Sequence, residues 1–190
     1  MSPDLPTAEA FLRVLDPTTD EFLYQTADDW KERPRGKNGK LAAIRYGTLK
    51  EHTAELCALS ARGAAVWVMV NAGGSHPPPG KNAVRNADIV TRIRYHWADF
   101  DEEPATNCSR LGIKPDIIVQ SSPGKYQLYW RVSDVPIKDF EPRQERLNAL
   151  LGADPQLKDL PRVLRLPGFP HQKKPAAPFM VRMIWPQVTP

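Results

Sequence analysis

Residues 116–132 read DIIVQSSPGKYQLYWRV, two segments of strand character separated by a turn. DIIVQSS (116–122) and YQLYWRV (126–132) are rich in β-branched and aromatic residues, which favour strands. Pro-Gly-Lys at 123–125 is typical of a short hairpin turn, because proline and glycine supply the backbone angles that turns need. The sequence therefore predicts an antiparallel hairpin.

Further strands flank this hairpin. RIRYHWADF (92–100) alternates so that Ile93, Tyr95 and Trp97 share one face, which is the period of a strand. AAVWVMVNA (64–72) is a continuous apolar run of strand length and is predicted to be a buried central strand. The remaining candidate strands are EFLYQT (21–26) and PFMVRMIW (178–185).

Three helices are predicted from their end signals. Thr7 is a candidate N-cap for a helix that ends at Leu15. Thr48 and Glu51 match the capping-box pattern, and this second helix ends at Gly63. The third spans about 136–151, is ended by Gly152, and has as candidate core residues Phe140, Leu147, Leu150 and Leu151. Because strands and helices alternate without an internal repeat, we expect an α/β (α+β) fold.

Composition excludes several classes of protein. The 190 residues carry 26 Lys and Arg against 22 Asp and Glu, a net charge of +4 that permits a polyanionic partner without requiring one. No apolar run reaches the roughly 18 residues of a membrane span, and the N-terminus lacks a secretory pattern. Two cysteines, Cys57 and Cys108, are too few for a disulfide scaffold, so we expect reduced thiols and a cytoplasmic protein. The basic connector at 28–40 is predicted to be a solvated loop, with a binding patch as the alternative.

Two carboxylates lie at the end of the predicted strand at 92–100, one inside it and one directly after it. Asp99 and Asp101 are two positions apart, so both side chains can point to the same side and meet one divalent cation. Hard oxygen ligands of this kind suit Mg²⁺ or Mn²⁺. An acidic loop just past a strand end is the alternative interpretation.

The predicted hairpin turn is a candidate anion site. Gly124 lets backbone N–H groups approach an anion closely, and Lys125 adds a point charge suited to phosphate. An ordinary solvated turn has the same composition.

A third segment combines charged and apolar residues, DPQLKDLPRVLRLPGFPHQKK at 154–174. Burying Arg162 and Arg165 among apolar residues is costly unless their guanidinium groups meet fixed anions. Those anions are Asp154, Asp159 or a bound triphosphate, so a structural salt-bridge network and a nucleotide site are both open.

Taken in order, these motifs resemble the archaeo-eukaryotic primase superfamily, and within it the RepB-like primases of plasmids and phages. The resemblance rests on a strand with Asp-x-Asp, a Ser-Pro-Gly-Lys-Tyr-Gln hairpin, and an Asp followed by RVLRLPG and a basic tail. It implies a catalytic fold of two packed α/β lobes, one with a sheet similar to an RNA-recognition motif, and an active site in the cleft between them. Residues 1–190 would form a single catalytic domain, which can be part of a longer protein.

The resemblance also implies residue roles. Asp99, Asp101 and Asp154 match the family's metal-binding carboxylates, with Asp154 fitting the family spacing better than Asp159. Gln127 stands where the superfamily usually has a histidine that contacts phosphate, and its amide can donate a hydrogen bond but carries no charge. The implied nucleotide-binding residues are Ser122, Lys125, Gln127, Arg162, Arg165, His171 and Lys173.

The function implied is a DNA primase or primase-polymerase that makes short primers on single-stranded DNA by template-directed nucleotidyl transfer, for replication of a plasmid, phage or other mobile element. Two Mg²⁺ or Mn²⁺ ions, an NTP or dNTP and the template would be required, a replicative helicase or primer-template-binding domain can act alongside, and no membrane is involved. One alternative is a replication-initiation module that binds DNA without catalysis, although such a module gains nothing from mutually repelling carboxylates. A metal-dependent nuclease is another, but it leaves the arginine-rich segment without a triphosphate to bind.

Overall fold

The computed structural model describes residues 1–30, 32–33, 40–101, 112 and 114–187. Part of the basic connector, at 31 and 34–39, and all of the segment that contains Cys108, at 102–111, lie outside these residues. Cys57 is a free thiol, as expected. Within the described part of the chain, none of the helices is long and apolar enough to cross a membrane.

Two four-stranded antiparallel sheets form the domain. The first has the order β2-β1-β3-β9 and the second β12-β7-β8-β6, with two short pairs, β4-β5 and β10-β11, beside them. The strands are β1 Glu21–Asp28, β2 Ala43–Thr48, β3 Ala64–Met69, β4 Ala72–Gly73, β5 Val90–Arg92, β6 Tyr95–Phe100, β7 Ile117–Ser122, β8 Lys125–Arg131, β9 Val163–Arg165, β10 Pro170–His171, β11 Phe179–Met180 and β12 Arg182–Trp185.

Strand β3 is the buried central strand that its apolar run predicts. It pairs with β1 on one side and β9 on the other, and most of its side chains are buried. A strand covered on both faces requires apolar residues at every position rather than at alternate ones. This central position brings β9, and the segment that follows it, into the first sheet.

The predicted hairpin is confirmed as β7 and β8, which form the middle of the second sheet. Its turn is shorter than expected, because Lys125 already belongs to β8 and only Pro123 and Gly124 connect the strands. Gly124 has a φ of +74°, a left-handed conformation that glycine adopts without steric cost.

The predicted strand at 92–100 is divided into β5 and β6. The break falls at Ile93 and Arg94, where the backbone N–H of Arg94 donates to the side-chain oxygen of Asn71 at 3.1 Å instead of joining a ladder. The predicted face is nevertheless confirmed, since Ile93, Tyr95 and Trp97 are all buried in the main hydrophobic core.

Within the described residues, three α-helices pack on the sheets, α1 Leu5–Leu15, α2 Leu49–Ala61 and α3 Phe140–Leu151. The predicted N-cap of α1 is wrong: Asp4 caps the helix, and its carboxylate accepts from both the backbone N–H and the hydroxyl of Thr7. The capping box of α2, formed by Thr48 and Glu51, is confirmed. An aspartate outcompetes Thr7 at α1 because it satisfies the first turn's free N–H with a charged acceptor.

Helix α3 begins later than predicted, because its first turn, Ile137–Asp139, is a 3₁₀ helix. Gly152 ends it in a left-handed conformation, as predicted. Phe140 and Leu151 are buried, but Leu150 is 53% exposed and was wrongly predicted to be a core residue. Leu150 directly precedes Leu151, and adjacent helical positions point about 100° apart, so the two cannot both face the sheet.

Candidate active site at the junction of the two sheets

Asp99 lies at the end of β6 on the inner face of the second sheet. It is directly opposite Gln127 in the β6-β8 ladder and follows the buried Trp97 on the same face. Asp101 comes two residues later and forms an ion pair with the ammonium group of Lys125, at the start of β8. The two predicted metal-binding carboxylates and the hairpin lysine are therefore brought together.

The surroundings of the Asp99 carboxylate disfavour its charged form. Burial, and next the negative charge of Asp101, raise its pKa from 3.8 to about 6, while Lys125 and Arg165 act in the opposite direction and Asp154 adds to the rise. No group in the described ranges donates a hydrogen bond to this carboxylate. Asp99 thus carries a charge that its surroundings compensate only in part.

The hairpin contributes buried polar groups beside Asp99. Gln127 is 5% exposed, and the hydroxyl of the fully buried Tyr129 lies 3.4 Å from its Oε1 atom. Burial, and then the charge of Asp99, raise the pKa of Tyr129 well above its usual value, so its hydroxyl stays protonated. Ser121 and Ser122 are also buried. The predicted positions of Ser122, Lys125 and Gln127 on one hairpin are confirmed.

His171, in β10, connects this hairpin to the segment that leaves the first sheet. Its Nδ1 atom is 3.0 Å from the backbone carbonyl oxygen of Ser121. A carbonyl can only accept, so Nδ1 carries the proton and Nε2 has a free lone pair. Nε2 is buried and has no hydrogen-bond partner within the described residues. Burial, and then the charge of Arg165, lower the pKa of His171.

Arg165, at the end of β9, lies in the same region. Its guanidinium group donates to both carboxylate oxygens of Asp29, at 2.7 and 3.1 Å, and lies over the ring of Trp67 at 5.4 Å from the ring centre. Its charge lowers the pKa values of both Asp99 and His171. We call the group of Asp99, Ser121, Gln127, Arg165 and His171 the sheet junction.

The carboxylates of the 154–159 turn behave differently from one another. Asp154 is exposed, accepts a hydrogen bond from the backbone N–H of Gln156 at 2.9 Å, and is close enough to Asp99 to raise its pKa. Asp159 instead forms an ion pair with Arg162, whose guanidinium also donates to the carbonyl of Gln156 at 3.2 Å. These contacts hold Arg162 within its own turn.

Two further features complete the region. Lys173 is exposed, and its charge contributes to the lowered pKa of His171. Within the described ranges, no three His, Cys, Asp or Glu side chains converge closely enough to form a metal site by themselves. Asp99 and Asp101 are thus a pair, with Asp154 at longer range.

Asp29 is the residue that sequence reasoning missed. Its position, next to Asp28 at the end of β1, placed it in a basic connector, and no local pattern marks it as the partner of Arg165. The only signal was its position after a strand end. Its partner is 136 residues away in the chain.

Comparisons with known proteins identify a family for this chain. A family model described as the RepB DNA-primase N-terminal domain matches residues 76–185, more than half of the chain. This range includes β6, the β7-β8 hairpin and the segment from Asp154 to Lys173. Among curated proteins, none matches the sequence at a significant level.

Solved structures share the fold. The archaeo-eukaryotic primase domain of the primase-polymerase of cyanophage S-2L is 19% identical, with a TM-score of 0.72 over 97% of this chain and 91% of that chain. The primase RepB′ is 20% identical, with a TM-score of 0.61 over 94% of this chain and 55% of that chain. The catalytic domain of RepB′ in complex with initiator DNA is 21% identical, with a TM-score of 0.58 over 94% and 84% of the respective chains. The expected two-lobed archaeo-eukaryotic primase fold is thereby confirmed.

Proposed function

The chain belongs to the RepB DNA-primase N-terminal domain family, and on that premise we propose that it is a DNA primase or primase-polymerase. Its reaction is template-directed nucleotidyl transfer, in which short primers are made on single-stranded DNA during replication of a plasmid, phage or other mobile element. Residues 1–190 act as one catalytic domain. A structural relative, the catalytic domain of RepB′ primase, was solved with initiator DNA, which supports DNA as a binding partner.

The observation that carries the proposal is the position of the half-buried Asp99 beside a second carboxylate, Asp101, with Lys125 as a partial counter-charge. A half-buried carboxylate beside a second carboxylate destabilises the folded protein unless a cation binds between them. Lys125 pairs with the exposed Asp101 and compensates Asp99 only in part. Two carboxylates that repel one another at the end of a buried strand are therefore best explained as cation ligands.

The donor set fits magnesium or manganese. Asp99 and Asp101 supply hard oxygen ligands, and Mg²⁺ is usually bound by one or two carboxylates together with substrate phosphates and water. Asp154, whose charge reaches Asp99, is the proposed third carboxylate. Two bound divalent ions would stabilise the charge on the attacking 3′-hydroxyl and on the departing pyrophosphate.

The remaining groups bind and orient the nucleotide, an NTP or dNTP. Lys125, Arg165 and Lys173 neutralise the triphosphate, and the Arg165 guanidinium can do so with a fixed fork of N–H donors. Gln127 donates from its amide without adding charge. His171 lies beside them with its unpartnered Nε2 atom. Ser122 and Arg162 complete the predicted set, and a helicase or primer-template-binding domain would act alongside.

A primer-synthesis assay tests the proposal. Purified protein is incubated with single-stranded DNA, labelled nucleotides and either Mn²⁺ or Mg²⁺. We expect template-dependent products from the wild type and at least a hundredfold loss in Asp99→Asn, because an amide is a poor ligand for these cations. Glu55→Gln is the matched control, since it removes a carboxylate that is paired with Arg45 on the first sheet.

Three outcomes decide among the functions. Products that persist in Asp99→Asn would eliminate the carboxylate-metal mechanism. Shortening of the template would identify a nuclease, and DNA binding without either reaction would identify a non-catalytic module.

The third carboxylate is tested in the same assay. Asp154→Asn should weaken metal binding, so that primer synthesis needs a higher metal concentration. Asp159→Asn should affect only stability, because Asp159 is engaged by Arg162. The opposite result would assign the third position to Asp159.

A further inference from the structure

Asp29 occupies a buried position where three chain segments meet. It is 6% exposed, and its carboxylate accepts two hydrogen bonds from the Arg165 guanidinium and one from the backbone N–H of Gln172. Its own backbone N–H donates to the carbonyl of Gly63 at 3.2 Å, after α2. One side chain therefore holds the end of β9 and the residue after β10 at fixed positions.

Asp29 orients Arg165 without saturating it. A guanidinium has five N–H donors, and Asp29 takes one from each terminal nitrogen. Among the described residues no other acceptor takes the remaining three, which can meet a second anion. The ring of Trp67 lies against the guanidinium and restricts its rotation. Asp29 thus fixes the orientation of the Arg165 guanidinium and leaves N–H donors for a ligand.

The same carboxylate determines where His171 lies. Gln172 is fixed by Asp29 through its backbone, and by the carbonyl of Ser60, to which its side chain donates at 2.8 Å. His171 is the preceding residue, and its bond to the carbonyl of Ser121 fixes the ring so that Nε2 stays unpartnered. Loss of Asp29 would therefore release both the Arg165 guanidinium and the segment that holds the His171 ring.

Resting on the proposed function, we infer that Asp29 is a positioning residue for the triphosphate: it preorganises Arg165 and the His171–Gln172 segment before the nucleotide binds. The residue does not contact the nucleotide. The Arg165 guanidinium is held between Asp29 and the ring of Trp67, and the His171 ring that follows in the chain bonds to the second sheet at Ser121. The ligand class is a nucleoside triphosphate bound through its phosphates.

Nucleotide binding without catalysis tests this role. The dissociation constant of a fluorescently labelled nucleoside triphosphate is measured by anisotropy with Mg²⁺ and no template. Asp29→Asn keeps the shape but loses the charge, and should weaken binding about tenfold or more, as supporting residues around a binding site do. Glu55→Gln, which breaks another arginine pair, should bind within about twofold of the wild type.

A double-mutant cycle separates positioning from general destabilisation. In an Arg165→Gln background, Asp29→Asn should cause a smaller further loss than in the wild type, because the part of its effect that passes through Arg165 is already absent and only the part through Gln172 remains. Arg165→Lys keeps the charge but cannot form the paired bonds to Asp29, so it should lose binding by about the same factor as Asp29→Asn. If Asp29→Asn fails to fold, Arg165→Lys decides the question.

Wild-type affinity, within about twofold, in folded Asp29→Asn or in Arg165→Lys would overturn the inference. Failure of the wild type to bind any nucleoside triphosphate would overturn it as well. If triphosphate binding depends on Asp29 but no primer is made, the proposed function fails and the positioning role stands.

Discussion

Two buried or half-buried aspartates, Asp16 and Asp99, occupy opposite electrostatic environments. Burial by itself would raise the pKa of Asp16, but hydrogen bonds from the hydroxyl and backbone N–H of Thr18, followed by the charge and hydrogen bond of Arg94, lower it to about 2. Arg92 donates to the same carboxylate at 2.6 Å. At Asp99, burial and the neighbouring Asp101 raise the pKa to about 6.

The difference separates a structural carboxylate from a candidate functional one. Asp16 stabilises the fold above pH 4, and this contribution is lost as the pH falls towards 2. Asp99 has the opposite sign: its folded-state pKa is above the unfolded value, so stability decreases as the pH rises from about 4 to about 6. Asp16 has its charge compensated by Thr18 and Arg94, whereas the carboxylate of Asp99 remains available for a ligand.

The largest expected effect comes from removing the satisfied carboxylate. Asp16→Ala leaves Arg94, whose side chain is 5% exposed, as an unpaired buried charge. We expect a loss of about 3–5 kcal/mol in the free energy of unfolding, measured by urea denaturation. Arg92→Ala is the control and should cost less than about 1 kcal/mol, since Arg92 is 54% exposed. A loss below about 1 kcal/mol in Asp16→Ala would remove the contrast between the two sites.

Binding of a divalent cation at Asp99 should have the next largest effect on stability. Mn²⁺ at about 100 times its dissociation constant should stabilise the wild type by about 2.7 kcal/mol at pH 8. Asp99→Asn should abolish this increase, whereas Glu55→Gln should keep it. The melting temperature measures the effect, and an equal metal-induced increase in Asp99→Asn would place the ion elsewhere.

Removing the charge from Asp99 should stabilise the metal-free protein. The rise of its pKa from 3.8 to about 6 corresponds to about 3 kcal/mol, and partial exposure reduces the expected gain of Asp99→Asn to about 1–2 kcal/mol at pH 8. The gain should disappear towards pH 4, where the native wild type is already protonated. Denaturant unfolding at both pH values checks this, and a gain independent of pH would point to packing instead of charge.

The smallest expected effect concerns the partial compensation by Lys125. Its charge lowers the pKa of Asp99, so Lys125→Met should raise the Asp99 titration midpoint, while stability changes by less than about 1 kcal/mol. Carbon-13 NMR of the aspartate carboxyl groups follows the titration. Lys158→Met is the control, because Lys158 pairs with Glu141 and Glu145 on α3. An unchanged midpoint in Lys125→Met would show that Lys125 compensates only Asp101.

Local sequence patterns predicted much of the fold. The capping box at Thr48, the Pro-Gly turn and the apolar run of β3 all formed as expected. Errors arose between neighbouring residues: Asp4 caps α1 in place of Thr7, and of the two adjacent leucines predicted to be core residues, Leu151 is buried and Leu150 is exposed. Such choices depend on the angle at which a helix meets the rest of the molecule.

The candidate site was predicted in part. The order of motifs predicted Asp99, Gln127, Arg165 and His171 as site residues, and the structure brings these four together at the sheet junction, with Lys125 paired to Asp101 beside it. It also keeps Arg162 with Asp159, and it adds Asp29, which no local pattern marks. Motif spacing identifies residue types, but it does not say which cation meets which anion.

The sequence by itself determined the central strand β3, the β7-β8 hairpin and the capping box of α2, because each depends on residues within a few positions along the chain. Only the tertiary structure decided the charge pairs: Arg94 reaches Asp16 across 78 positions, and Arg165 reaches Asp29 across 136. These partners meet because antiparallel pairing closes long loops. The long-range pairing therefore leaves Asp16 satisfied, Arg165 held by Asp29, and Asp99 with an unsatisfied charge.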